Sequence, residues 1–307
     1  MAEPTGVLLM AYGTPATLAD VEPYYTHIRR GRAPSPEKLE ELVERYRAIG
    51  GASPLLEICQ AQAGGLERLL EARDERGIRV ELGMKHAPPY IEDGVEALLD
   101  AGVRRAVALV LAPHYSALSI GEYMTRARDA AGDRLDLLPV EHWHLTPSYV
   151  ALLAQRVRSC LGSFPADVRD EVDLVVTAHS LPARILETGD PYPSQLEQSA
   201  QAIARETGME RWSVAWQSAG RTPEPWLGPD ILEVIGALAE AGSRGAIVCP
   251  AGFVSDHLEI LYDLDVECQA VAAEAGLAWR RTGSANADPL FLAALSDVVL
   301  DRLGVAA

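Results

Sequence analysis

Two stretches of this chain share one plan, and that repetition narrows the folds open to it more than any other feature. In the first, Val80 to His86 leads into Ala87-Pro88-Pro89-Tyr90, a helical run from Ile91 to Ala101, Gly102, and an apolar strand from Ala106 to Ala112 ending in Pro113-His114. In the second, Ser213 to Ser218 leads into a proline-bearing loop from Pro223 to Pro229, a helical run from Asp230 to Ala241, Gly242, and a strand from Ala246 to Ala251. Strand, proline loop, helix, glycine stop and strand recur in the same order. The openings match as well. A strand from Val7 to Ala11 ends in Tyr12-Gly13-Thr14-Pro15, and one from Leu174 to Ala178 ends in His179-Ser180-Leu181-Pro182. Helices such as 35–49 and 195–207 separate the strands, so the pattern predicts two βαβ halves with parallel sheets, a duplicated doubly wound α/β fold.

A chain of 307 residues, 48% hydrophobic, can bury one large core or two smaller ones. Its net charge of −17 argues against a nucleic-acid partner and against docking on an anionic membrane. An anionic ligand would therefore need a local basic patch. The opening residues carry no positive n-region and no run approaches the roughly 20 apolar residues of a membrane span, so a cytoplasmic protein is expected. Cys59, Cys160, Cys249 and Cys268 are scattered, with no short spacing that could hold zinc or an iron–sulfur cluster. They read as reduced, packed thiols.

In such sheets ligands bind beyond the carboxyl ends of the strands. The residues there are Tyr12, Lys85, His86, His114, His179, Gln217 and the segment 253–259, so nearly every unusual polar residue converges on one region. That last segment opens an acidic ladder. On a helix turning about 100° per residue, Asp256, Glu259, Asp263 and Glu267 share a face less than a quarter-turn wide, with no Lys or Arg inside the ladder to offset them. Such a face is either solvated or built to carry cations. His179, at a strand end after an apolar run, supplies an imidazole that can accept a proton or bind a metal near neutral pH. Opposite Glu259 it would form a His–carboxylate pair suited to a divalent metal in transit.

A second cluster runs from Tyr24 to Arg32 and from Arg45 to Pro54. So much Arg and Tyr in so acidic a chain suggests an anion site, with guanidinium forks for carboxylates and flat apolar surface for a ring system. There is no Walker motif, no dinucleotide fingerprint after a strand and no nucleophile elbow, and Ser180 directly following His179 is poorly spaced for a dyad. Metal chemistry on a large, flat, polycarboxylated ligand outranks nucleophilic catalysis.

At these residues the chain resembles the ferrochelatase family, in particular the cluster-free branch of Gram-positive bacteria that metallates coproporphyrin III. The resemblance spans nearly the whole length: Leu9 to Pro15, Tyr24 to Arg32, Tyr46 to Pro54, Leu109 to His114, Ala178 to Pro182, Trp216-Gln217-Ser218, Pro225 to Pro229, and Gly252 to Tyr262. It implies two Rossmann-like domains, each a parallel four-stranded sheet flanked by helices: residues 1–145 with about 285–307, and residues 146–284 carrying the metal-site histidine and acidic helix. It also implies that His179 and Glu259 are the inner metal-binding and proton-accepting pair, with Asp263 and Glu267 on an outer relay along a distorted helix. Tyr12 matches the tyrosine on the other porphyrin face that can coordinate iron in the product. Arg29, Arg45, Tyr46, Ser53 and Tyr123 match propionate- and ring-binding positions, and Lys85 and His86 match a pair near the cleft mouth.

The ending at Val305-Ala306-Ala307 lacks the cysteine-bearing tail that ligates a two-iron two-sulfur cluster in other members, so no cluster is expected. A hydrophobic membrane lip is also missing. The activity implied is insertion of ferrous iron into coproporphyrin III, giving coproheme and two protons. Iron is a substrate and no resident cofactor is expected, although a divalent cation could sit on the acidic helix. The chain is expected to be a monomer that hands coproheme to a transient partner. A protoporphyrin IX ferrochelatase, a cobalt or nickel chelatase acting on a sirohydrochlorin-like ring, and a porphyrin carrier without turnover are the alternatives.

Overall fold

The computed structural model describes residues 4–74, 77–220 and 222–305. The expectations drawn from the first residues and from the last thus rest partly on residues 1–3 and 306–307, which lie outside the described residues. The first half contains β1 (Thr5–Ala11), α1 (Val21–Ile28), α2 (Pro36–Ala48), α3 (Leu55–Arg73), β2 (Arg79–Met84), α4 (Ile91–Asp100), β3 (Arg105–Val110), α5 (Ile120–Ala131) and β4 (Asp136–Val140). After α6 (Pro147–Gly162) come β5 (Val172–His179), α7 (Tyr192–Thr207), β6 (Trp212–Gln217), α8 (Ile231–Glu240), β7 (Gly245–Cys249), α9 (Leu258–Leu261), a π-helical segment (Asp263–Cys268), α10 (Gln269–Glu274), β8 (Ala278–Arg281) and α11 (Pro289–Arg302).

The duplication extends to strand order. One sheet runs β2-β1-β3-β4 and the other β6-β5-β7-β8, every pairing parallel. Even the proline loops repeat. Met84 donates its amide to the Pro89 carbonyl (2.6 Å) and Trp216 donates to Pro229 (2.9 Å), so each loop ends clipped to its own second strand.

The inner strands β1, β3, β5 and β7 are buried on both faces, and their side chains sort by the two-residue period. Val7 and Leu9 of β1 and Leu174 and Val176 of β5 face a central apolar layer, where α3, α6, α7 and α11 lie between the sheets. Leu8 and Met10 turn outward onto α4 and α5, and Val175 onto α8 and the π segment. Both strand families therefore read as unbroken apolar runs, and each fully buried Leu or Ile contributes roughly 1.5–3 kcal/mol of transfer free energy. The helix α11 packs on both α3 and α6.

The strands predicted at Ala106–Ala112 and Ala246–Ala251 stop two residues earlier, at Val110 and Cys249. Pro250 has no amide to extend the ladder, and the Ala251 amide turns back onto the Cys249 carbonyl (2.8 Å). The helix at 230–241 is trimmed by its cap: the Asp230 side chain accepts the Leu232 amide (2.9 Å), which starts α8 one residue later.

Candidate active site

Each half delivers its chemistry at the carboxyl ends of its first two strands. In the first, Lys85 and His86 donate their amides to the carbonyls of Ala11 and Tyr12 (both 2.9 Å), which fixes the end of β2 against the end of β1. The Tyr12 and His86 rings then lie 4.6 Å apart. His86 meets His27 of α1 through their Nδ1 atoms at 3.1 Å. Burial, with the Lys85 charge adding to it, lowers His86 to about 3, so its ring is neutral at physiological pH.

In the second half, Gln217 ties two strands to the acidic segment. Its Oε1 accepts from Thr177 Oγ1 (2.8 Å) and its Nε2 donates to the Glu259 carbonyl (2.9 Å). Gly252 makes the approach possible: a Cβ there would lie 2.5 Å from Ala178 Cβ and 2.7 Å from Ala178 Cα, too close for any side chain. With Gly252 pressed on β5, the segment 253–259 passes beside His179. The His179 Nε2 sits 3.5 Å from Glu259 Oε1, and His257 Nε2 sits 3.3 Å from Glu259 Oε2. Each imidazole is oriented from behind, His179 Nδ1 by the Ser180 carbonyl and His257 Nδ1 by the Ser255 carbonyl (2.9 Å).

This geometry sets the charge of the pair. Burial alone would lower His179, but the Glu259 carboxylate beside it outweighs burial and holds the imidazole at about 9. Burial would likewise raise Glu259, yet two histidines hold it well below the usual carboxylate range. The pair is thus an imidazolium–carboxylate. The side chains remain 34% and 30% exposed, open to the cleft rather than sealed.

The acidic ladder differs from its helical reading in two ways. Asp256 is not on it: the helix begins at Leu258, and Asp256 instead binds Ser284, Asn286 and Arg281. Nor does the ladder lack cations. Arg45 donates to Asp263 and stacks over Tyr262 with its guanidinium 4.6 Å from the ring centroid, while Arg281 sits beside the ladder, gripping the neighbouring Asp265 with two bonds of 2.7 Å. Burial, opposed by Arg45, raises Asp263 to about 6.

The π segment also has a sequence cause. The carboxylates Glu259, Asp263 and Glu267 and the apolar residues Ile260, Leu264 and Cys268 both repeat every four residues. On an ideal α-helix each such step drifts by about 40°, so a sustained four-residue repeat cannot keep one face on the core. The wider turn, with the Glu267 amide reaching the Tyr262 carbonyl (3.0 Å), absorbs the drift. Ile260, Leu264 and Cys268 stay buried on the sheet, and the carboxylates keep the adjoining face.

Between the two halves lies a cavity of about 1040 Å³, large against the roughly 300–1,000 Å³ of small-molecule pockets. Tyr12, Lys85, His86, Tyr123, His179 and Glu259 line it, as do Arg30, Arg184 and Trp226, which the sequence reading did not single out. Leu55, Val110, Leu181 and Val254 give it an apolar body. Arg29, Arg45, Tyr46, Ser53, Asp263 and Glu267 do not line it. Tyr46 is only 2% exposed, packed with Val21 and Leu258, and Ser53 accepts the Leu55 amide at the start of α3. Arg29 turns back to the Arg32 carbonyl (3.1 Å). Among the described residues, no group of three or more His, Cys, Asp or Glu side chains forms a site able to hold a metal ion.

His257 and Glu122 were also missed. Glu122, which binds Lys85 and lies 3.9 Å from Arg30, stands in the first turn of the helix after β3, as Glu259 does in the helix after β7. Aligning the halves through their third loops would have found it.

A duplicated pair of parallel sheets with a His–Glu pair and a tyrosine on a cleft this size defines a porphyrin-type metal chelatase. A ferrochelatase family model matches residues 4–303, and the chain belongs to the ferrochelatase family. It is 48% identical to the coproporphyrin III ferrochelatase of Geobacillus kaustophilus, covering 97% of this chain and 95% of that protein. Against the coproporphyrin III ferrochelatase of Bacillus subtilis it is 46% identical, covering 97% and 98%. Among solved structures, SirB from Bacillus subtilis with Fe3+ superposes with a TM-score of 0.59 at 13% identity, over 97% of this chain and 95% of that one. CbiX, the terminal enzyme for siroheme biosynthesis in denitrifying bacteria, gives 0.54 at 15% identity, over 96% and 98%. These two share the fold. No helix among the described residues is long and apolar enough to cross a membrane.

Proposed function

We propose that this chain is a lyase that inserts ferrous iron into coproporphyrin III, forming coproheme and releasing two protons. The observation that carries the reading is the His179–Glu259 pair, 3.5 Å apart, on the wall of a cavity whose other wall presents Tyr12. The relatives named above, 46% and 48% identical along nearly their whole length, support the choice of porphyrin.

The geometry gives each group a task. A flat macrocycle keeps its pyrrole lone pairs in plane, and a cavity that grips the ring's edges can spend that binding on tilting the pyrroles toward an entering metal. Iron reaching Glu259 competes with the proton on His179. Once His179 gives that proton up to water in the open cleft, the neutral imidazole accepts the two pyrrole protons in turn, releasing each to the cleft before it takes the next, with His257 beside it as a further acceptor. Asp263 and Glu267 would form the outer part of the iron path, where a divalent cation could rest. Tyr12 would face the opposite side of the ring and Tyr123 its edge. Arg29, Arg45 and Ser53 would meet propionates from the rim, where for Arg45 a propionate must displace Asp263, and Tyr46, buried against Val21 and Leu258, would back that rim rather than touch a propionate. Lys85 and His86 would close the cleft mouth. The protein would work in the cytoplasm as a monomer without stable membrane attachment or resident cofactor, and would pass coproheme to a transient partner.

The test is an anaerobic assay with ferrous iron, following loss of the free-base absorbance of coproporphyrin III and protoporphyrin IX in parallel. A higher kcat/KM for coproporphyrin is expected. A preference for protoporphyrin would keep the reaction and overturn the substrate, whereas tight porphyrin binding without metallation would make the protein a carrier.

A further inference from the structure

The segment that leads to His257 and Glu259 is an irregular stretch between β7 and α9, held by Gln62, Ser284 and Arg281 and most extensively by one residue of another loop. Asn286, in the loop between β8 and α11, sits at φ 47°, a left-handed backbone that asparagine tolerates better than most residues. All four of its hydrogen-bonding groups are used. Its amide donates to the Val254 carbonyl (2.7 Å) and its own carbonyl accepts from Gln62 Nε2 of α3 (2.9 Å). Its side chain closes a two-way clasp on Asp256: Oδ1 accepts the Asp256 amide (2.8 Å), and Nδ2 donates to the Asp256 carboxylate (2.8 Å). Gln62, fully buried, donates the same Nε2 to Ser255 Oγ (3.0 Å).

The two residues so fixed, Ser255 and Asp256, immediately precede His257. The Ser255 carbonyl is the group that orients the His257 ring, and that ring in turn faces Glu259. A loop held this way cannot rotate the Ser255 carbonyl without breaking bonds to two other segments.

Building on the chelatase reading, we propose that Asn286 is a positioning residue for iron insertion: by clasping Asp256 it locks the Ser255 carbonyl, and through it the His257 ring, against Glu259. It touches neither porphyrin nor metal, so its contribution falls on kcat rather than on binding.

The test compares N286G with N286D in the full-length protein. Glycine accepts the left-handed backbone and so keeps the loop's path while removing both clasp bonds. Aspartate keeps the acceptor for the Asp256 amide but sets one carboxylate against another. Porphyrin affinity is read by fluorescence quenching, turnover by anaerobic metallation, and the clasp itself by hydrogen–deuterium exchange of the peptide spanning 254–258. Faster exchange in both variants, kcat lowered about tenfold or more in N286G and further in N286D, and porphyrin Kd within about twofold of the parent are expected. Unchanged kcat in N286G, or porphyrin affinity falling as much as kcat, would overturn the proposal. The exchange readout does not depend on turnover. A parent protein that binds porphyrin but never metallates it, with the exchange effect intact, would locate the failure in the chelatase reading, and unchanged exchange would locate it in the clasp.

Discussion

The helix that follows the third strand is built differently in the two halves, although their topology is the same. In the first half it is α5, a regular helix with Glu122 in its first turn; in the second it is broken into α9, the π segment and α10, with Glu259 in its first turn. Each carboxylate lines the cavity, and each is met by one residue at a strand end, Lys85 or His179, and by one from a loop, Arg30 after α1 or His257 before α9. Glu122 is met by an ammonium and a guanidinium, Lys85 and Arg30; Glu259 is met by two imidazoles, His179 and His257. The duplicated fold thus places a carboxylate on each side of the cleft with partners of different chemistry, and under the proposed function that difference assigns proton transfer to the Glu259 side.

The sharpest way to break that comparison is to remove each carboxylate in turn. E259Q is expected to lower kcat for metallation by about 10²–10⁴-fold, the usual worth of a lost proton-transfer group, while leaving porphyrin affinity within about twofold. E122Q is expected to cost less than about tenfold. Steady-state anaerobic assays on both variants decide the matter: comparable losses would mean that the two walls share the chemistry.

The titration of His179 sharpens the same point. Because Glu259 raises the imidazole to about 9 in the folded protein, above its ordinary 6.5, the pair's stabilisation is fully present below about pH 6.5 and fades as pH rises through about 9. Urea unfolding should therefore show the parent losing stability between those pH values. In E259Q burial is opposed by the Ser180 carbonyl and Asp263 but no longer by Glu259, so the His179 pKa should fall from about 9 and this alkaline loss should shrink. Histidine resonances followed by NMR test the assignment directly, and a His179 pKa near 9 in E259Q would refute Glu259 as the cause.

How far the sequence reaches can be judged residue by residue. Three strands of each half were legible, the central ones because both sheet faces are buried there, which writes them as unbroken apolar runs such as 7–11 and 174–178; the half-exposed edge strands β4 and β8 carry no such run, and four strands per sheet were implied only by the family resemblance. His179 and Glu259 were legible because polar groups at strand ends stand out against such runs. Asp256 was misplaced on the ladder because helical spacing was extended back past the true start at Leu258, where His257 is still fully extended. Arg45 on Asp263 spans 218 residues of sequence, and no local pattern encodes it. The four-residue repeat that demands the π segment was in plain view, but its drift against a 3.6-residue turn only matters once Ile260, Leu264 and Cys268 are known to share one buried face.

That long-range pair supplies the remaining contrast, between a cation buried on the acidic ladder and one on the opposite wall of the cavity. Arg45 and Asp263 leave 23% and 7% of their side chains exposed, so R45A strands a carboxylate that burial already pushes up to about 6. Its pKa should climb further, and stability at pH 7 should drop by about 2 kcal/mol, with the deficit shrinking as pH falls and Asp263 takes up a proton. Lys85 and Glu122 are 14% and 42% exposed, and Glu122 keeps both water and the nearby Arg30 when Lys85 is lost. K85M, which keeps an unbranched apolar side chain but removes the ammonium that lies 5.1 Å from the Tyr123 ring centroid, should then cost about 1 kcal/mol and show no such dependence on pH. Denaturant curves for the two variants at pH 5.5 and pH 7.5 make the comparison. An equal and pH-independent loss in both would mean that the ladder is no more charge-sensitive than the opposite wall.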